Sequence, residues 1–250
     1  MFVLFVAVAF GAVVLFHTAP APMLIDRVNG DRAVWRMPPR PAAPRVYLTF
    51  DDGPNPTATP ALLDVLSRER VRATFFLIDK YVTAETAPIV ARMRADGHDV
   101  ALHSHTRKLM FLTPEGLAAR LTASADHIED LSGVRPCAAF RPHAGFRSQS
   151  MYDGLERIDH VLVGWGWNSW DWNHFRRREA SSIVPRLTKV ASDGGIIVIH
   201  DGHHKNPRAD RRYAVETAAQ LIPALRERGF SFGAICRDLD SDGGAERTRD

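Results

Sequence analysis

With 250 residues, 45% hydrophobic and 24% charged, the chain is long enough for one large α/β domain and ordinary in composition for a globular protein. Its net charge of +3 comes from 32 basic and 29 acidic residues that are scattered, not striped, which argues against a phosphate-tracking surface and against nucleic acid as a partner. The two cysteines, Cys137 and Cys236, lack the CxxC spacing of a zinc knuckle or redox site. They read as small core residues, with a disulfide as the alternative in an exported domain.

Taken in chain order, Phe2 to Phe16 are apolar throughout, and no charge precedes Asp26. As a helix this run would span about 23 Å, short of a ~30 Å bilayer core. Residues 1–22 therefore read as an export signal, with Ala19-Pro20-Ala21 as a small-residue cleavage site, or as an uncleaved membrane anchor. Residues 23–44 are rich in proline and arginine without a sustained period and read as a linker. The folded domain is expected over 45–237, and the polar, glycine-containing tail 238–250 is expected to be disordered. Such a start places the domain outside the cytoplasm, secreted or membrane-anchored.

Within the domain, apolar runs and amphipathic runs alternate. Val46–Phe50 precedes a helical pattern over Thr59–Arg70, and Ala73–Leu77 precedes one over Ala87–Asp96 that Gly97 stops. Asp99–Leu102 comes next, then a helix capped by Thr113 with Pro114 at its first position, ending at Gly133. Cys137–Phe140, Val161–Gly164, Ile196–Ile199 and Phe230–Cys236 are further strand-like runs, and Ser181–Val190 and Tyr213–Arg228 are amphipathic. Seven short strands separated by helices imply a largely parallel sheet.

The unusual polar residues follow those strands: Asp51-Asp52-Gly53, His103-Ser104-His105, Arg141-Pro142-His143, Asn168 to Trp172, and His200-Asp201. In parallel α/β folds the carboxyl ends of the strands share one side, where the active site is built. Any one cluster is explained by turn chemistry; five at equivalent positions are not. Paired carboxylates can divide metal binding from proton transfer, an imidazole suits a borderline metal such as zinc, and a second imidazole can protonate a leaving group.

Thr49-Phe50-Asp51-Asp52-Gly53-Pro54-Asn55-Pro56 resembles the first motif of the NodB-homology polysaccharide deacetylases, carbohydrate esterase family four, and the resemblance runs in order from about Val46 to Ile235. It implies a single catalytic domain of α/β class, a distorted (β/α) barrel of about seven parallel strands. It also implies a metal-assisted general acid/base hydrolase that removes acetyl groups from an N-acetylated glycan, peptidoglycan or chitin-like, with a divalent metal, zinc, as cofactor. By the same resemblance Asp51 is the general base, Asp52 and His103 are metal ligands, and Arg141 is the arginine of the third motif. The Ala144 N–H helps bind the oxyanion, Asp171 braces Arg141, and His200 is the general acid. Apart from the resemblance, Trp172, like Trp165 and Trp170, reads either as a stacking face for sugar or as core. The chain departs from the family at three places: Arg107 stands where HxxxH has its second histidine, His143 follows Arg141-Pro142, and His203-His204 follow the fifth motif. A guanidinium has no lone pair for a metal. The expectation is a weakened or rearranged metal site, with His143, His203 or His204 as sources of a third ligand. A catalytically weakened sugar-binding domain and a hydrolase of O-acetyl esters or of a small cyclic amide are the alternatives.

Overall fold

The computed structural model describes residues 32–40, 42–168 and 179–246. The apolar run at Phe2–Phe16, Asp171 and Trp172 lie outside the described residues. The elements are β1 (Ala33–Val34), β2 (Arg45–Gly53), α1 (Ala58–Glu69), β3 (Thr74–Ile78), α2 (Ala87–Ala95), β4 (Asp99–His103), α3 (Pro114–Ser132), β5 (Ala139–Arg141) and α4 (Gln149–Glu156). There follow β6 (Val161–Val163), β7 (Trp167–Asn168), α5 (Ala180–Val190), β8 (Ile196–His200), α6 (Arg212–Glu227), β9 (Ser231–Gly233) and α7 (Ile235–Glu246). The strands run in the order β1-β6-β5-β4-β3-β2-β8-β7, with β9 also on β2, and every pairing between them is parallel. The sheet curls into a half-barrel, as expected. β1 and β7 are additions to the seven expected strands; two residues each leave no period to read.

Alternation along β2 sorts the two sides of the sheet. Val46, Leu48 and Phe50 face the helical layer and pack with Leu62, Leu63, Leu66, Phe75 and Leu221 in the main core. Tyr47 shares the smaller inner core with Met37, Phe76, Ala101, Val163 and Ile235. Thr49 and Asp51 continue the inner row of β2 toward its carboxyl end.

Helix boundaries follow local chemistry. The Thr113 hydroxyl accepts from Gly116 N at 3.1 Å to cap α3, and Gly133 ends that helix at φ 69°, a conformation that glycine adopts without strain. Asn55 caps α1: its Oδ1 accepts from Thr57 N and Ala58 N, and its Nδ2 donates to Ala209 O.

Three expectations need correction. The linker is not free of structure over its whole length, because Ala33–Val34 pair with β6 and Met37 N donates to Gly194 O at 2.9 Å. The tail does not lose structure at Asp238: α7 runs through Glu246, and Asp238 accepts from Arg45 Nη1 at 2.6 Å and from Tyr47 OH at 2.7 Å. A buried carboxylate with two such partners anchors a segment whose composition is that of a solvated tail. Finally, Cys137 and Cys236 are joined as a disulfide with Cα atoms 6.3 Å apart, the alternative reading of the pair.

Candidate active site

The carboxyl ends of β2, β4, β5 and β8 bring Asp51, Asp52, His103, Arg141 and His200 to one mouth. Register accounts for much of this, since His103 pairs with Arg141 and Asp51 with His200. Adjacent residues of a regular strand point to opposite faces, so Asp51 and Asp52 could not both serve one site. The pairing of β2 with β3 slips between Asp51 and Gly53, and Asp52 takes φ 70°. This bulge re-aims the second carboxylate, and aspartate tolerates the left-handed conformation better than most residues. The loop after β8 then closes over the bulge. Gly202 N donates to Asp51 O at 3.1 Å, and a Cβ at Gly202 would lie 1.9 Å from Asp52 O, so only glycine fits there.

Arg141 is fully buried and lies inside the barrel. Its Nη1 donates to Asp51 Oδ1 at 2.6 Å and to Thr49 Oγ1 at 2.8 Å; its Nη2 and Nε donate to the carbonyls of Gly164 and Val163 at 2.8 and 3.3 Å. Its guanidinium carbon stands 3.9 Å from the centroid of the Phe76 ring. Among the described residues these bonds engage four of the five guanidinium N–H groups, the fifth being on Nη2. The partner found for Arg141 is thus Asp51, the expected base.

His103 Nδ1 donates to Arg141 O at 2.8 Å, since a carbonyl only accepts; in the neutral ring this leaves Nε2 with a lone pair. That lone pair stands 3.4 Å from Asp52 Oδ1, a buried oxygen with no hydrogen-bond partner among the described residues. Two lone pairs facing one another in a buried place fit a shared cation. His143 completes the group: Asp52, His103 and His143 each offer one ligand atom, and these atoms lie within 4.8 Å of one another. Burial would raise the Asp52 carboxyl, but the imidazoles of His103, His200 and His143 outweigh it and hold the carboxyl below the usual carboxylate range. Burial, with His103 nearby, lowers His143 to about 3, so its ring is neutral near pH 7.

Arg107 opens a short 3-10 turn, Arg107–Phe111, and its guanidinium lies over the Phe146 ring, 4.2 Å from the centroid. Ala144 sits in a second such turn, His143–Gly145, at φ 52° and ψ 23°, and its N–H donates to no acceptor among the described residues. Trp165 meets Trp35 edge to face, 6.0 Å between centroids.

One residue of the site was noted in the sequence, beside His200, but given no role. Asp201 is fully buried beside the Asp51–Asp52 pair and accepts from Thr59 Oγ1 at 2.5 Å. Burial, followed by the like charges of Asp51 and Asp52, raises its carboxyl to about 7 despite that bond. The signal was its place directly after His200, at the end of an apolar strand where a carboxylate has no packing role.

Comparison with known proteins agrees with this geometry. Residues 39–163 match the family model described as polysaccharide deacetylase. A chitooligosaccharide deacetylase of Bradyrhizobium sp. (strain ANU 289) is 34% identical over 202 residues, covering 75% of this chain and 87% of the relative. A peptidoglycan-N-acetylglucosamine deacetylase of Bacillus cereus is 28% identical over 193 residues, covering 76% and 85%. The solved structure of the peptidoglycan deacetylase PdaC from Bacillus subtilis superposes with a TM-score of 0.68 at 27% identity, covering 84% of this chain and 96% of that one. By motif order, half-barrel fold and relatives alike, the chain belongs to the NodB-homology polysaccharide deacetylases, the hydrolases of carbohydrate esterase family four.

Proposed function

We propose that this protein hydrolyses the N-acetyl groups of an N-acetylated glycan outside the cytoplasm. The observation that carries the reading is Asp51, held by buried Arg141 and paired in register with His200 across β2 and β8. Members of the family are metal-dependent. Here Asp52 and His103 would hold the ion, and an imidazole and carboxylate donor set favours zinc. When bound, such an ion polarises a carbonyl and makes water more acidic.

The chain's own residues divide the proton work. Asp51 takes a proton from water as its oxygen bonds to the acetamide carbon. His200 gives a proton to the nitrogen as the carbon–nitrogen bond breaks, and acetate and a free amine leave. Arg141 keeps Asp51 in one position, and its remaining Nη2 N–H is the one that Asp171 would accept as brace. The free N–H of Ala144 suits the developing oxyanion, and Trp172 would give the sugar an apolar face.

The relatives named for chitooligosaccharide and peptidoglycan support the substrate class. Two features support an extracytoplasmic site: the apolar run Phe2–Phe16, as an export signal or anchor, and the Cys137–Cys236 disulfide, which persists in oxidising compartments. Among the described residues no helix is long and apolar enough to cross a membrane.

The test is acetate release, with new amines counted, from chitooligosaccharides, peptidoglycan and O-acetylated xylan. Acetate and amine should appear together from an N-acetylated glycan, and His200→Ala should lower kcat/KM by about 10²–10⁴-fold at an unchanged melting temperature. Release from the ester alone, or full activity in His200→Ala, contradicts the reading.

A further inference from the structure

The three departures from the family's motifs lie far apart in sequence and meet in space. Arg107 rests on the ring of Phe146, the residue that ends the His143–Gly145 turn, and Phe146 N donates to His143 O at 3.2 Å. The His143 backbone is fixed from the other side as well, because its N–H donates to Ser104 Oγ at 2.9 Å, next to His103. The His143 ring lies 6.4 Å from the His103 ring and 4.7 Å from that of His204, which in turn stacks on His203 at 4.6 Å. The loop bearing His204 is tied down by Tyr81 OH, which donates to His204 O at 2.7 Å. Position 107 has therefore turned to an aromatic face on the loop after β5, and that same loop delivers an imidazole to the space between Asp52 and His103. Each change makes sense only with the others. Arg107 removes a donor from one loop, and His143 supplies one from another.

We propose that His143 is the third protein ligand of the divalent ion, in place of the residue four positions after His103, with Arg107 and His204 fixing the loop and the ring that present it. The proposal rests on the reading above that the site binds a metal. It turns the expected weakness of the site into an exchange of ligands between loops.

The test titrates metal-stripped protein with Co²⁺ and Zn²⁺ by calorimetry and follows Co²⁺ by visible absorption, with no turnover required. Wild type should bind one ion. His143→Gln should bind at least about 100-fold more weakly, the top of the range for losing an outer-shell partner. His143→Cys should keep binding Co²⁺ and add a thiolate-to-cobalt charge-transfer band in the near ultraviolet, since thiolate is itself a good ligand. Arg107→His should bind no more tightly than wild type. Melting curves of each stripped variant separate lost affinity from lost fold, and the His143→Cys band reads ligation directly even if His143→Gln folds poorly. Undiminished affinity in His143→Gln, a cobalt complex of His143→Cys without the band, or tighter binding in Arg107→His overturns the proposal alone. Absence of binding by wild type overturns the metal reading and the proposal together.

Discussion

Replacing Arg141 by methionine, which keeps an unbranched apolar stem and discards the charge and donors, tests the centre of the barrel. The substitution leaves Asp51, 3% exposed, without its cation, and takes a donor from the carbonyls of Val163 and Gly164 and from the Thr49 hydroxyl, which keeps its bond to Ile197 O. Breaking a buried ion pair by removing one partner typically costs about 3–5 kcal/mol, because the other charge stays behind. For a domain of this size that corresponds to a fall of roughly 6–20 °C in melting temperature. Asp51→Asn should also destabilise, since it leaves Arg141 buried with a neutral partner. In the double variant neither charge remains, so its loss should fall short of the two single losses together by about 2 kcal/mol or more. Urea denaturation of the four proteins measures this coupling, and acetate release runs beside it. Arg141→Met should lose activity by about 10²-fold or more through misplacement of Asp51, and the double variant should recover stability without recovering turnover. Additive losses, or an Arg141→Met loss below about 1 kcal/mol, would refute the idea that the pair is a coupled unit.

Two further outcomes are expected. Cys137 and Cys236 are 99 residues apart, and closing a loop of that length restricts the unfolded chain enough to be worth up to about 4–5 kcal/mol; Cys137→Ala/Cys236→Ala should melt well below wild type and be insensitive to reductant, and equal melting of the two proteins would contradict this. His98 is 1% exposed and accepts from Ala73 N at Nδ1, and burial lowers it to about 4, with Arg92 and Arg72 acting in the same direction and Asp96 against it. Unfolded histidine titrates near 6.5, so the stability that neutral His98 contributes is present above that pH and is lost as pH falls toward about 4, by roughly 3 kcal/mol. His98→Asn keeps an acceptor without a titrating ring and should flatten that slope; an unchanged slope places the acid sensitivity elsewhere.

Most of the fold was legible because short apolar runs alternate with amphipathic ones, and most of the candidate site because strand ends gather on one side of a parallel sheet. Asp51, Asp52, His103, Arg141 and His200 were found by that logic. What stayed hidden depends on contacts between distant residues. The left-handed turn at Asp52 follows from a register slip against β3, and nothing in Asp51-Asp52-Gly53 announces it. Asp238 looks like the start of a solvated tail until Arg45 and Tyr47 are seen beneath it. By shape alone Asp51→Asn is a mild change, and only the ion pair with Arg141 makes it costly. In the sequence His143 was one of three histidines that could answer the loss at Arg107; its closeness to Asp52 and His103 appears only once the loops face each other.

The position of β2 bears on when the domain can fold at all. β2 pairs with its neighbour in sequence, β3, but also with β8 and β9, which lie near the other end of the chain. The strand that carries both carboxylates is thus made before two of its three partners and completed only when they follow. Until β8 and β9 are made it has β3 as its one partner, and such non-local pairing is slow to form. The topology therefore leaves an interval in which β2 waits for β8 and β9, and Cys137 for Cys236. Such an interval is what the export proposed above for this domain would require.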